Sequence, residues 1–184
     1  MNALVTHHLE TPLGRAIAAA TQRGICMLEF GDDDRVDRQL DALEEALEAE
    51  AAMGASPLFQ QLELELTGYF EGTRRSFEIA LHTPGTAFQE RVWEALQEIP
   101  FGQTTSYRNL AHQINAPSAM RAVGGANGAN RVSVLVPCHR VIGADGSLTG
   151  FGGGIELKKR LLDHERAVSG ESLWSAEQSS SRII

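Results

Sequence analysis

The sequence predicts a mixed α/β (α+β) chain: an N-terminal antiparallel-sheet domain with helices, then a mostly helical C-terminal domain holding a helix-turn-helix and a short active-site strand. Three observations carry this. Short apolar runs separated by turn residues open the chain. Apolar residues at helical spacing follow, twice before residue 84 and repeatedly after it. Further on, the apolar run Val132–Val136 stops at Pro137-Cys138-His139-Arg140.

Leu4–Leu9, Arg15–Ala20 and Ile25–Phe30 read as three strands of a meander. Thr11-Pro12-Leu13-Gly14 and Thr21-Gln22-Arg23-Gly24 supply the turns between them. Asp32-Asp33-Asp34 places negative charge where it favours a helix N-terminus, and Val36, Leu40, Leu43 and Leu47 continue at helical spacing. Met53-Gly54-Ala55-Ser56-Pro57 breaks that helix. Leu58, Leu62 and Leu66 with Tyr69 or Phe70 trace a second, and Phe77–Leu81 reads as another strand. This half shows no catalytic constellation, and His7, His8 and His82 read as surface or turn residues.

His82-Thr83-Pro84-Gly85 marks the domain boundary. Thr86 and Gln89 form a capping box for a helix whose face is Phe88, Val92, Trp93, Leu96 and Ile99, stopped by Pro100 and Gly102. Thr104 or Thr105 caps a short helix through Ile114. Asn115-Ala116-Pro117 turns the chain, and Ser118 caps a second helix to about Ala126, giving a helix-turn-helix unit. That second helix has few side chains able to read bases, chiefly Ser118, Arg121 and Asn127. It also carries Gly124 and Gly125 in tandem, at about 1 kcal/mol each relative to alanine. Small residues allow close approach, either to a neighbouring helix or to an external surface.

Asn127–Asn130 reads as a loop and Val132–Val136 as a buried strand. Pro137 cannot donate a ladder bond, so it leaves Cys138 at the strand exit. A cysteine there fits an inert core thiol or a nucleophile equally well. Asp145-Gly146 signals a turn, and Gly150-Phe151-Gly152-Gly153-Gly154 a loop whose amides can approach a ligand. A final helix from Ile155 to about Glu165 buries Leu157, Leu161 and Leu162. From Ala167 the serine-rich sequence reads as poorly ordered.

Two cysteines make no disulfide framework, no stretch is apolar enough to span a bilayer, and no secretory signal is visible. These point to a reducing, cytoplasmic setting. The net charge of −8 argues against a nucleic-acid partner, but its distribution does not. Residues 1–84 hold fifteen acids against six Lys/Arg, and residues 85–184 nine against ten. Between Ile99 and Ala144 there is no acid, while Arg108, Arg121, Arg131 and Arg140 are present, a stretch able to meet phosphates.

Taken together, Pro137-Cys138-His139-Arg140-Val141-Ile142, Arg121-Ala122-Val123-Gly124-Gly125-Ala126, Asn130 and Leu161-Leu162-Asp163-His164-Glu165 resemble the 6-O-alkylguanine-DNA alkyltransferases. Gly85–Gln89, Val92-Trp93, Ile99–Gly102 and Ser106-Tyr107 extend the likeness over Gly85–Glu165, and Thr11–Gly14 and Arg23–Ile25 carry it weakly into the N-terminal half. The resemblance implies residues 1–84 as a ribonuclease-H-like supporting domain, 85–168 as the DNA-binding and alkyl-acceptor domain and 169–184 as a flexible tail. It implies a monomer that takes a methyl or larger alkyl group from 6-O-alkylguanine, and from 4-O-alkylthymine, in double-stranded DNA onto Cys138. Each molecule acts once, without cofactor or metal.

In that reading Glu165 orients His139, which reaches Cys138 through water because neighbours on an extended strand face opposite ways. Arg121 fills the stack left by a flipped base, on a helix seated in the minor groove. Ser118, Ala122, Gly124, Gly125 and Asn127 meet DNA beside it. Tyr107 donates to a guanine ring nitrogen, Asn130 braces the relay, and the carbonyls of Cys138 and Val141 with Phe151 and the Gly152 amide line the base pocket. Phe151 stands where the family usually has tyrosine. Thr21 and Cys26 occupy the turn where some members bind zinc, without a convincing ligand set. A catalytically dead lesion sensor, an alkylation-responsive DNA-binding regulator and a cysteine hydrolase are the alternatives.

Overall fold

A computed structural model describes residues 3–31 and 34–170. β1 (Leu4–Thr11), β2 (Gly14–Thr21) and β3 (Gly24–Phe30) form the expected antiparallel meander. α1 (Asp34–Leu47) follows; Asp32 and Asp33, expected at its N-terminus, lie outside the described residues. β4 (Ala51–Met53), which the sequence reading does not include, runs into the helix-breaking segment Met53–Pro57 and pairs parallel to β1, so the sheet is mixed in the order β3-β2-β1-β4. Three residues are too few to show a period, which is why the sequence hides β4. α2 (Pro57–Phe70) starts with proline in its first turn and Ser56 as a side-chain cap.

Sheet alternation, interrupted by a β-bulge at Cys26, sorts the core. Cys26 and Met27 of β3 join Val36 and Leu43 of α1 in one cluster, whereas Ile25, Leu28 and Phe30 join Ala16, Ala18 and Ala20 beneath α2. That second cluster runs on without interruption into Val92, Trp93, Leu110, Val123, Cys138 and Leu161, so one core spans both halves.

The outer edge of β3 explains how the halves join. Phe77–Leu81, expected as a strand, supplies only a single parallel bridge, Ile25 to Leu81, and Val132 makes another to Leu28. Ile25 N–H donates to Ala80 O and Leu28 N–H to Arg131 O. The edge is therefore covered by the linker and by the approach to Cys138.

α3 (Ala87–Gln97) has the expected Thr86–Gln89 capping box. β5 (Thr105–Ser106) precedes α4 (Tyr107–Gln113), whose cap is Ser106 rather than Thr104 or Thr105. Asn115 turns with φ +56 into α5 (Met120–Gly128). Ser118 does not cap α5: Ala119 stands at the cap and no side chain bonds there. The helix absorbs Asn127 and Gly128, which sequence reading placed in a loop. α6 (Ile155–Ser169) is longer than expected and includes Ala167–Ser169, while residues 171–184 of the expected tail lie outside the described residues.

The largest correction concerns Val132–Val136. It is buried, as expected, but it is not a strand. Leu135 N–H donates to Ser133 O around Val134 at φ +73, a tight γ-turn about a β-branched residue in a strained conformation. Val136 N–H returns to Val132 O, and Cys138 N–H to Val136 O around Pro137. Cys138–Arg140 then form one 3-10 turn before β6 (Val141–Ile142), which pairs parallel with β5. A wholly apolar run has no alternation to distinguish a strand from buried turns.

Candidate active site

Cys138 is 3% exposed on that 3-10 turn. Asn130 sets its position: the side-chain amide donates to Val136 O at 2.9 Å and lies 3.0 Å from Cys138 Sγ, while its carbonyl accepts from Val132 N–H. One side chain thus fixes both ends of the tight turns. Burial pushes the Cys138 thiol up to about 12 despite the Asn130 bond, so the buried thiol is protonated and needs a base to react.

His139 is wholly buried, and its Nε2 lies 2.7 Å from Glu165 Oε1. A carboxylate only accepts, so Nε2 carries the hydrogen and Nδ1 the lone pair. Nδ1 is buried without a hydrogen-bond partner among the described residues. Burial lowers the pKa of His139, opposed by Glu165, so the resting imidazole is neutral. This is the protonation state of a base.

Glu165 is anchored by five donor groups. Oε1 accepts from His139, from Tyr69 O–H at 2.8 Å and from Arg140 Nη2 at 2.9 Å; Oε2 accepts from Arg140 Nε at 2.9 Å and Gly102 N–H at 2.9 Å. Burial alone raises its pKa, but the His139 and Arg140 bonds and charges reverse this and hold the carboxyl well below the usual range. Gly102 reaches Oε2 at φ +78, and a Cβ there meets Ser169 Oγ. Arg140 is completed by Ile99 O and by the face of Phe101.

The loop through Thr149 and Gly150 is tied from three directions. Tyr107 O–H donates to Thr149 O at 3.0 Å, Asn127 Nδ2 to Gly150 O at 3.3 Å, and Lys158 Nζ to both Thr149 O at 2.6 Å and Val141 O at 2.5 Å. Lys158 is fully buried, and burial lowers its pKa to about 8. Phe151 is buried against this loop and Gly152 is exposed.

α5 presents Arg121, Ala122 and Gly125 outward with Ser118 beside them, and Gly124 is half-buried. A Cβ on Gly125 meets nothing within 4 Å, so internal packing does not require glycine there. Trp93 Nε1 donates to Ala126 O and fixes the inner face on α3. Asn127 departs from expectation: it is 1% exposed, so its side chain faces the loop and cannot reach outward to read bases. Of the four arginines of the acid-free stretch, Arg140 is buried on Glu165 and Arg131 half-buried on Pro84 O, while Arg108 and Arg121 stay exposed.

Sequence reasoning missed three contributors. In the sequence Tyr69 marks only an apolar helix face, Lys158 carries no signal in the last helix, and Glu29, which accepts from Ser133 and pairs with Arg35, lies within a strand. The available signal was a polar atom at a core position: Glu29 and Lys158 interrupt otherwise buried faces. His82, expected as a surface or turn residue, is buried and bonded to Thr21.

Comparison with known proteins matches residues 4–83 to the 6-O-methylguanine DNA methyltransferase, ribonuclease-like domain, and residues 87–167 to the 6-O-methylguanine DNA methyltransferase, DNA binding domain. The methylated-DNA–protein-cysteine methyltransferase of Haemophilus influenzae is 38% identical over 167 residues, 90% of this chain and 88% of that protein. The inducible one of Bacillus subtilis is 56% identical over 108 residues, 59% of this chain and 60% of that protein, so the match spans well under two thirds of its length. The Mycobacterium tuberculosis OGT structure in complex with DNA superposes with a TM-score of 0.75 at 38% identity, covering 89% of this chain and 94% of that one.

Proposed function

The chain belongs to the 6-O-methylguanine DNA methyltransferase family, and on that footing we propose that it repairs alkylated double-stranded DNA by moving the alkyl group onto Cys138. The observation that carries this reading is the ordered set Cys138, His139, Glu165. The thiol is buried and protonated, the imidazole beside it is neutral with a free Nδ1, and the carboxylate fixes its tautomer.

The thiol proton passes to His139 Nδ1, through a bridging water where the two do not touch. Sγ attacks the alkyl carbon as the carbon–oxygen bond breaks, and guanine leaves with the electron pair. Tyr107 O–H, released from Thr149, donates to a ring nitrogen of the departing base. Atoms balance without any co-reactant. The thioether formed is stable to water, so each molecule acts once, as a monomer in the cytoplasm. The Cys138 and Val141 carbonyls, Phe151 and the Gly152 amide line the base pocket.

Reaching this pocket requires the nucleotide to leave the duplex. Arg121 is exposed on the small-residue face of α5, suited to a minor groove and to the vacated stack. Ser118, Ala122, Gly124 and Gly125 make the close surface around it. Residues 85–168 hold the alkyl acceptor and DNA face, and residues 1–84 support them. The reading extends to larger 6-O-alkyl adducts and to 4-O-alkylthymine.

Incubating the protein with a duplex holding one 6-O-methylguanine, then mapping peptides by mass, tests it. One methyl on Cys138 per molecule is expected, and Cys138→Ala should abolish transfer while keeping lesion binding. Multiple turnovers, or methylation confined to Cys26, would overturn the mechanism.

A further inference from the structure

Tyr69 lies in the half of the chain that showed no catalytic group, yet it is completely buried and its hydroxyl ends on Glu165 Oε1. That oxygen is the one His139 uses. The ring is held by Phe70, Phe77, Phe101 and His164, and the Tyr69 carbonyl accepts from His164 Nε2 at 2.8 Å. Such an enclosure leaves the hydroxyl no other direction. Burial, the Glu165 charge and the shared bond push the phenol far above its ordinary range, so it stays a donor throughout the working pH range.

We infer that Tyr69 is a positioning residue of the relay, its hydroxyl setting through Glu165 how strongly His139 draws the Cys138 proton. This rests on the reading of Cys138 as alkyl acceptor, and gives the N-terminal half a chemical part in it. Two donors on one carboxylate oxygen share its electron density. What Tyr69 withdraws, His139 does not receive. Removing the hydroxyl leaves Oε1 more basic toward His139 and favours the imidazolium; strengthening it does the reverse. The other groups facing the pair are Arg140 beside His139, the Gly102 amide after α3, and Lys158 and His164 on α6; Arg75 lies across Phe101. Of these, only Tyr69 comes from the N-terminal half and touches the shared oxygen.

The test uses the full chain in two arms. In Tyr69→Phe the ring packing is kept and one bond is lost. The midpoint of His139, read by NMR titration, and the acid limb of the single-turnover transfer rate should both rise by about half a pH unit, a fraction of what one hydrogen bond to a charged group is worth. In the second arm Tyr107→Phe, whose only remaining tyrosine is Tyr69, is labelled with 3-fluorotyrosine, a more acidic phenol and stronger donor. The His139 midpoint should fall relative to unlabelled Tyr107→Phe. This arm stands if Tyr69→Phe does not fold. An unmoved midpoint in either arm, whatever happens to rate or melting temperature, would show Tyr69 to be structural only and overturn the inference. Failure of the wild-type chain to methylate Cys138 would instead remove the alkyl-acceptor reading, while the titration still reports on Tyr69, Glu165 and His139.

Discussion

Asn130 and Cys138 are joined by a side-chain amide 3.0 Å from the sulfur, and the same amide holds the Val136 carbonyl that the Cys138 N–H also uses. The sulfur is thus placed by a residue eight positions earlier, across a stretch with almost no regular structure. Asn130→Ala removes two donors and the acceptor for Val132 N–H. A loss of about 2–3 kcal/mol is expected from the unpaired buried groups. Transfer should slow at least about tenfold, since a bond that lowers the thiol pKa is gone. Urea unfolding and single-turnover rates check both.

Gly125 offers a prediction in which stability and function move oppositely. Its Cβ direction is open, so Gly125→Ala should stabilise the protein by about 0.5–1 kcal/mol through helix propensity. If α5 lies in a groove, the added methyl should weaken duplex binding severalfold. A raised melting temperature with undiminished DNA affinity would contradict that placement.

The arginines separate by burial. Arg121→Ala should slow repair in duplex DNA more than reaction with the free 6-O-methylguanine base; equal losses would refute a flipping role. Arg108→Ala should reduce the salt slope of DNA affinity by about one, the value for a single phosphate contact, whereas Arg131→Ala should leave it unchanged because that side chain is turned to Pro84. Titrations at several salt concentrations measure this.

Acid should weaken the fold through Glu165. Its carboxyl is held below the ordinary value of 4.5, so its stabilisation is complete above that pH and is lost as pH falls below it. Glu165→Gln should lower stability by about 3–5 kcal/mol near neutrality, since it leaves Arg140 and His139 without their buried partner. It should also flatten the acid dependence. Chemical denaturation between pH 3 and about 7 reads the difference.

Much of this was legible in the sequence, for reasons that particular residues show. The meander announced itself through alternation and turn residues, and α3 through Thr86 and Gln89. Cys138, His139, Asn130 and Glu165 were legible because they sit in distinctive short runs, and the structure brings them together. What stayed hidden depends on distance or on missing periodicity. Tyr69 and Glu165 are ninety-six positions apart, and Glu29 and Ser133 a hundred and four. No local pattern couples such pairs. Val132–Val136 reads as a strand because uniform apolarity is shared by strands and buried turns, and the facing of Asn127 is not set until the helix end is known.

Glu165 and Lys158 both reside on α6, the last helix described. During synthesis the N-terminal sheet and the Cys138 turns leave the ribosome before it, at about 5–20 residues per second. Until α6 emerges, His139 has no carboxylate to fix its tautomer and the Thr149 loop lacks its buried Lys158 clip. A nascent or truncated chain can therefore display Cys138 without the His139–Glu165 pair behind it, so the proposed acceptor ripens only when the chain has come far enough to close over it.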